Sequence, residues 1–371
     1  MKDKFGLKVW TWAQSLSETG GGVSAVALQV HDQLIRSGEE AYLITGFENM
    51  PAHDPELKES LPFDRVTEKS SKMGVVHIHG LWSPFVLRAY KFAKKNGYKL
   101  VVSPHGMLEP WALKNKFIKK RIAWHAYQRR IINSADMLMV NSSREMNSVR
   151  SLGIKNPISI VANGVNKAGF VFSPPVKGSK VVLFFSRLSP VKGLPDLLEA
   201  WEMLPPDHDY LLKIYGHSDP GYEETINRII KSRGLQKSVK ICGPVFSSDK
   251  WKVYREAAVF VLPSYSENFG IVVAEALLSG LPVITTKATP WDCLVDEGFG
   301  WQVDNSPAQL SQAIVAAMNL TEAERERVCS QAYFYANSRF DWSSIADDYM
   351  ACYRWLLGLS DKPDYLFKGE S

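Results

Sequence analysis

The chain has 371 residues, which at about 150 residues per domain argues for two domains, each able to bury its own core. Lys and Arg number 44 against 39 Asp and Glu, a formal charge of +5, with 45% hydrophobic and 22% charged residues, so a small module, a disordered tail and a histone-like polycation are excluded. Cys242, Cys293, Cys329 and Cys352 stand far apart without CxxC spacing, as expected of reduced cytosolic thiols rather than a disulfide framework or zinc site.

The opening MKDKFGLKVW holds no apolar run of signal-peptide length, so export is not expected. Short β-rich runs follow at Leu7–Trp12, Ala41–Thr45, Val75–Ile78, Leu100–Ser103, Met137–Val140 and Ile158–Val161, with a helical pattern over Val23–Ser37. The segment 163–180 is punctuated by Gly and Pro and lacks periodicity, which places a domain boundary near Pro174: a first domain over 1–173 and a second over 174–342. A second series of strands is predicted at Val181–Phe185, Tyr210–Ile214, Val239–Ile241, Val259–Leu262, Val283–Thr286 and Trp301–Val303. Its helices start near Gly193, Tyr222, Ser248, Gly270 and Pro307. The most apolar stretch, 269–286, is interrupted by Glu275 and Pro282 and falls short of a membrane span. A helical tail over Ser306–Ala336 and a final helix near Ser343–Leu357 close the chain, and 343–371 is expected to pack back on the first domain. Strand alternating with helix argues for an α/β protein of two doubly wound, Rossmann-like domains facing each other across a cleft, with ligand loops at the strand C-termini.

Those loops carry the candidate chemistry. In SETGGGVSAVA (17–27), Gly20, Gly21 and Gly22 read either as a phosphate contact, through exposed backbone N–H groups at a helix N-terminus, or as a tight turn. The spacing is neither GxGxxG nor a Walker loop. HIHGLW (77–82) and SPHGMLEPW (103–111) put His79 and His105 just past strands, where an imidazole serves proton transfer or a hydrogen bond to a sugar or phosphate. His79 reads equally as a core histidine satisfied by its neighbours, whereas at His105, between Pro104 and Gly106, function is favoured. Arg187 and Lys192 in VVLFFSRLSPVKG (181–193) suit a diphosphate, the Arg as a fork and the Lys as a point charge; a solvated surface pair is the alternative. Glu267 and Glu275 lie eight residues apart around Gly270, an interval of about 800° on a helix, so both meet one ligand only if the first segment is irregular. Glu275, set among Ile, Val, Ala and Leu, needs a partner or a ligand's hydroxyls; a salt-bridged Glu275 and a cap-side Glu267 form the structural alternative. Asp207-His208-Asp209 spells DxD but sits in a helix-to-strand turn, and no metal site is expected there.

Taken together, the GGG loop (20–22), HGM (105–107), NSSREM (141–146), ANGV (162–165), RLSPVKG (187–193) and SENFGIVVAEALLSGLPV (266–283) resemble the retaining glycosyltransferases of the GT-B fold, family 4. The last segment resembles that family's E-x7-E signature, and SPHGMLEPWAL is similar to enzymes that build bacterial cell-surface polysaccharides. The resemblance implies that Arg187 and Lys192 hold the donor diphosphate, that Glu275 bonds ribose hydroxyls and that Glu267 meets the donor sugar. It implies further that Asn268, Phe269, Gly270 and Ile271 line the diphosphate, that Gly216, Val245 and Phe246 line the nucleoside pocket, and that His105 contacts the transferred sugar. The donor would be a UDP- or GDP-sugar used without metal, and attack would come from the donor's front face with no covalent nucleophile.

WALKNKFIKKRIAWHAYQRRI (111–131) gathers Lys114, Lys116, Lys119, Lys120, Arg121, Arg129 and Arg130 with no acidic residue, and interleaves Trp111, Phe117, Trp124 and Tyr127. A helix over Lys114–Arg130 of this kind suits an anionic membrane surface, where the resemblance places a glycan or polyprenyl-diphosphate-linked acceptor; a core-packed helix with a solvated basic face is the alternative. No nucleic-acid-binding motif accompanies the cations. The sequence therefore predicts a cytoplasmic, peripherally membrane-bound glycosyltransferase. A GT-B nucleotide-sugar epimerase and a non-catalytic binder are the competing classes.

Overall fold

The computed structural model describes residues 7–16, 22–46, 60–62, 73–245 and 248–368. The chain divides into two compact units, the first comprising 1–164 and 342–371 and the second 165–341.

The first unit is built on an eight-stranded sheet. Its strands are β1 (Lys8–Ala13), β2 (Glu40–Thr45), β3 (Ser60–Pro62), β4 (Gly74–His79), β5 (Lys99–Ser103), β6 (Met137–Val140), β7 (Ile158–Ile160) and β14 (Leu366–Phe367). The spatial order is β14-β7-β6-β5-β4-β1-β2-β3, parallel throughout except for β14 against β7. Helices cover both faces of a parallel sheet, so its strands read as unbroken apolar runs: Trp10, Trp12, Ile44, Val76, Ile78, Leu100 and Val102 are buried in one core. Register sets the functional edge, since Ala13 pairs with His79 and His79 with Ser103, which brings the C-terminal ends of β1, β4 and β5 side by side. The helix Trp342–Leu356 belongs to this unit, with Tyr353 Oη 2.6 Å from His77 Nδ1 and Arg354 paired with Glu39 at 3.1 Å. Gly164 of the NGV turn abuts that helix: a Cβ there would lie 2.5 Å from the Trp342 ring.

The second unit has six parallel strands, β8 (Val181–Phe185), β9 (Leu211–Tyr215), β10 (Val239–Gly243), β11 (Val259–Leu262), β12 (Val283–Thr286) and β13 (Gly300–Val303), in the order β10-β9-β8-β11-β12-β13. After β10 the chain crosses to the other side of β8, which puts β8 and β11 next to each other at the sheet centre, the switch point where α/β sheets bind ligands.

Three expectations are corrected. The unit boundary falls at Gly164/Val165 rather than Pro174, because the intervening segment is held by the second unit: Val165 N–H donates to Phe340 O, Phe172 stacks on Tyr333 at 3.8 Å, and Val176 N–H donates to Arg255 O. The tail over 306–336 is two helices, Pro307–Met318 and Glu322–Arg339, parted where Thr321 and Glu324 form a reciprocal capping box. The basic segment is not one helix: Pro110–Lys114 ends at an extended Asn115, Lys116 is left-handed (φ 53°), and a new helix runs Phe117–Ala123, widens to a π-turn over Trp124–Gln128 and finishes as Arg129–Asn133.

Candidate functional site

In the second unit the central strand ends are stitched by backbone contacts. Gly193 follows a short 3₁₀ turn, Pro190–Lys192, at φ 68°, and a Cβ there would lie 2.0 Å from Pro263 O; Tyr265 N–H donates to Val191 O at 2.8 Å. These two approaches lay the β8 loop against the β11 loop, which is why Lys192 and Glu267, far apart in sequence, meet as an ion pair, their side chains only 13% and 14% exposed. Ser264 Oγ donates to the same Glu267 oxygen at 3.3 Å. A charge pair this sheltered is strong only while both members are present.

Arg187 stands differently. Its loop is laced to the β9 loop, with Leu188 N–H on His217 O and Asp219 N–H on Leu188 O, and its exposed guanidinium lies 3.8 Å from Asp219. Gly216 makes this lacing possible: at φ 144°, a Cβ would lie 1.9 Å from Ser186 O, so only glycine fits. Its N–H donates to Gly243 O, and the half-buried Val245 follows; Phe246 lies outside the described residues.

Gly270 takes φ 80° and begins the helix Ile271–Leu278, with Asn268 and the buried Phe269 before it and Trp291 Nε1–H donating to Phe269 O. The irregular segment that would let both glutamates serve one ligand is therefore present. Glu275, however, is already satisfied inside the protein: Lys250 Nζ donates to Oε1 at 2.5 Å and Tyr254 Oη to Oε2 at 2.9 Å. Burial, then the carboxylate, pushes the Tyr254 phenol well above its ordinary range, keeping it a donor. The salt-bridged form of Glu275 is thus the one observed, and Lys250 and Tyr254 are site residues that sequence reading missed. Their spacing of four on the helix Asp249–Arg255 sets them on one face, a signal visible in the sequence without its target.

In the first unit, Gly22 opens the helix Gly22–Arg36; Gly20 and Gly21 lie outside the described residues. His105 sits past β5 with φ 51°, an uncommon conformation for a residue bearing a Cβ. Glu145 holds the loop there, accepting from Gly106 N–H at 2.6 Å and Asn141 N–H at 2.9 Å, so the NSSREM motif is an anchor for the His105 turn. His105 Nε2 lies 3.0 Å from His79 Nδ1. Burial lowers the pKa of His105 to about 4, against a hydrogen bond with Asn141 that raises it. Asp209 pairs with Lys180 at 3.3 Å, and no group of three or more His, Cys, Asp or Glu among the described residues is placed to hold a metal ion.

The family model "Glycosyl transferases group 1" matches residues 167–333 and "Glycosyltransferase Family 4" matches 20–168. The chain belongs to these glycosyltransferases. Among curated relatives, D-inositol 3-phosphate glycosyltransferase of Mycobacterium tuberculosis is 29% identical over 249 residues, 62% of this chain and 51% of that one. The match therefore spans about half the length of the curated relatives. Among solved structures, sucrose-phosphate synthase of Thermosynechococcus elongatus (TM-score 0.79, 20% identity) aligns over 95% of this chain and all of that one. Anabaena HepE, solved with UDP and glucose (TM-score 0.75, 20% identity), aligns over 93% of this chain and 98% of that one. Both show the GT-B architecture. No helix of the described residues is long and apolar enough to cross a membrane.

Proposed function

We propose that the protein is a retaining glycosyltransferase that moves a sugar from a UDP- or GDP-sugar to a lipid-linked glycan acceptor in cell-surface polysaccharide synthesis, working on the inner face of the cytoplasmic membrane. The observation that carries the reading is that the Lys192–Glu267 pair and the Gly270 helix start lie together at the ends of β8 and β11, with Arg187 exposed two residues beyond β8. Departure of a nucleoside diphosphate builds negative charge on its oxygens and positive charge on the anomeric carbon; fixed cations and N–H dipoles stabilise that change without reorganising. Lys192 and Arg187 supply the charge that a divalent cation supplies elsewhere, which favours a metal-independent reaction. Glu267, held by Lys192, accepts hydrogen bonds from donor-sugar hydroxyls and is not assigned a nucleophilic role. Glu275 orients the ribose while Lys250 and Tyr254 fix its carboxylate. UDP in the HepE structure supports the donor class.

The acceptor side is assigned to the first unit. In the basic segment, Phe117, Ile118 and Ile122 are 56%, 73% and 65% exposed beside Lys116, Lys119 and Arg121, whereas Trp124 and Tyr127 pack inward against the core. The membrane anchors are thus Phe117, Ile118 and Ile122, with Trp111, and not the inner pair of aromatics.

A thermal-shift panel of UDP-, GDP- and ADP-sugars tests the donor, since occupancy raises the melting temperature. Acceptor-dependent nucleotide release then tests transfer. Nucleotide-sugar isomerisation without acceptor would instead identify an epimerase.

A further inference from the structure

Three histidines crowd the ends of β4 and β5. His77 and His79 alternate along β4 and so project from one face, with ring centroids 4.1 Å apart, and His105 follows β5. His77 is fully engaged, Nδ1 with Tyr353 Oη at 2.6 Å and Nε2 with Ser103 Oγ at 2.8 Å. The state of the other two is settled by Asn141. Its amide Nδ2 donates to the Val161 carbonyl at 3.0 Å and to Asn163 Oδ1 at 2.9 Å, which spends both amide hydrogens; a carbonyl can only accept, so the amide orientation is fixed. What Asn141 offers His105 is then its oxygen, and His105 must donate to it. With Nε2 turned to His79, the donating nitrogen of His105 is Nδ1, Nε2 is bare, and the proton between the rings belongs to His79 Nδ1.

We propose that His79 is a positioning residue: by donating Nδ1–H to His105 Nε2 it locks His105 as the neutral Nδ1–H tautomer and holds its loop for the transferred sugar. This rests on the reading of His105 as a sugar-contacting group. The same assignment leaves His79 Nε2 an acceptor, buried and without a partner among the described residues. His79 lines a cavity of about 230 Å³ with Gln14, Ser15 and Ser24, so a group meeting that nitrogen must donate, as a sugar hydroxyl does. Burial, reinforced by His77 and His105, keeps His79 neutral by lowering its pKa well below the usual value.

The test is long-range ¹H–¹⁵N correlation NMR on the full chain labelled at histidine, with His105→Gln for assignment, alongside steady-state transfer kinetics. Wild type is expected to show the Nδ1–H pattern for His105 at neutral pH. His79→Leu should mix the tautomers and lower kcat about tenfold with donor KM unchanged. His79→Asn, whose amide nitrogen falls near the place of Nδ1, should restore both. An Nε2–H or imidazolium His105 in wild type, or His79→Leu with tautomer and kcat intact, overturns the proposal. Should His79→Leu fail to fold, the wild-type spectrum and His79→Asn still decide. Absence of any transfer by wild type would strike the glycosyltransferase reading, while the tautomer pattern stands apart from it.

Discussion

The first unit buries histidines, and the second buries ion pairs. At the ends of β4 and β5, His77, His79 and His105 are packed against one another with their pKa values pushed down chiefly by burial, so each holds one proton and passes hydrogen bonds along. At the ends of β8 and β11, and on the helix after them, Glu267 and Glu275 are each met by a lysine from another element. A neutral array recognises hydroxyls and is indifferent to salt. Fixed cations suit an anionic ligand such as a diphosphate, and Lys192 and Lys250 are held in place by the carboxylates they pair with. The difference implies that acid damages the first unit and loss of a charge damages the second.

The largest effect expected is on transfer by Lys192→Ala and Arg187→Ala, each falling about a hundredfold or more if both stabilise the departing diphosphate. The pair separates structure from chemistry. Arg187 is exposed and its removal should leave the melting temperature nearly unchanged, whereas Lys192→Ala strands Glu267 and should lower it clearly. Equal melting losses in the two variants would contradict the sheltered pair. Next in size, Lys250→Met should weaken donor binding about tenfold by freeing Glu275, with Tyr254→Phe milder; calorimetric titration with UDP would show it.

Acid gives the reverse result. A histidine with a lowered folded pKa leaves the unfolded chain binding more protons, so the stability tied to its neutral form is complete above about pH 6.5 and drains as pH falls toward about 4 for His105 and about 3 for His77. Melting between pH 7 and pH 4 should therefore show the first unit giving way ahead of the second, a loss of several degrees. Hydrogen exchange resolved by segment would assign it, and uniform loss across both units would break the contrast.

How far these sites could be read in advance depended on sequence distance. The placing of His79 and His105 at the ends of two neighbouring strands was legible, because β4 and β5 are consecutive and pair directly, although His79 closes β4 rather than following it and His77 was not singled out. The Lys192–Glu267 contact was not, since it requires β8 and β11 to be neighbours across two intervening strands, a property of topology that no local pattern carries. Gly216 was singled out only through resemblance; the physical reason for a glycine there, a backbone oxygen where a Cβ would stand, is tertiary. The break at Asn115–Lys116 had no Gly or Pro to announce it, and without it Trp124 and Tyr127 look like surface anchors.

That break frames the smallest expected effect. With the helix restarted at Phe117, the exposed apolar residues Phe117, Ile118 and Ile122 lie within one and a half turns, flanked by Lys116, Lys119 and Arg121, while Lys120 turns back to Ala112 O and its ammonium sits over the Trp82 ring. Burial, aided by Lys116, lowers the Lys120 pKa, which fits a cation partly withdrawn from solvent. Two components of membrane binding should then separate. Lys119→Gln with Arg121→Gln should weaken binding to vesicles containing anionic lipid by a few-fold at low salt and little at high salt, because exposed charges are screened within about 10 Å at 0.1 M. Ile118→Ser with Ile122→Ser should weaken it at both, because apolar insertion is not screened. Trp124→Phe, altering an inward-packed ring, should leave partitioning unchanged while lowering the melting temperature slightly. If Trp124→Phe instead abolished vesicle binding and the isoleucine pair did nothing, the segment would meet the bilayer through its other face.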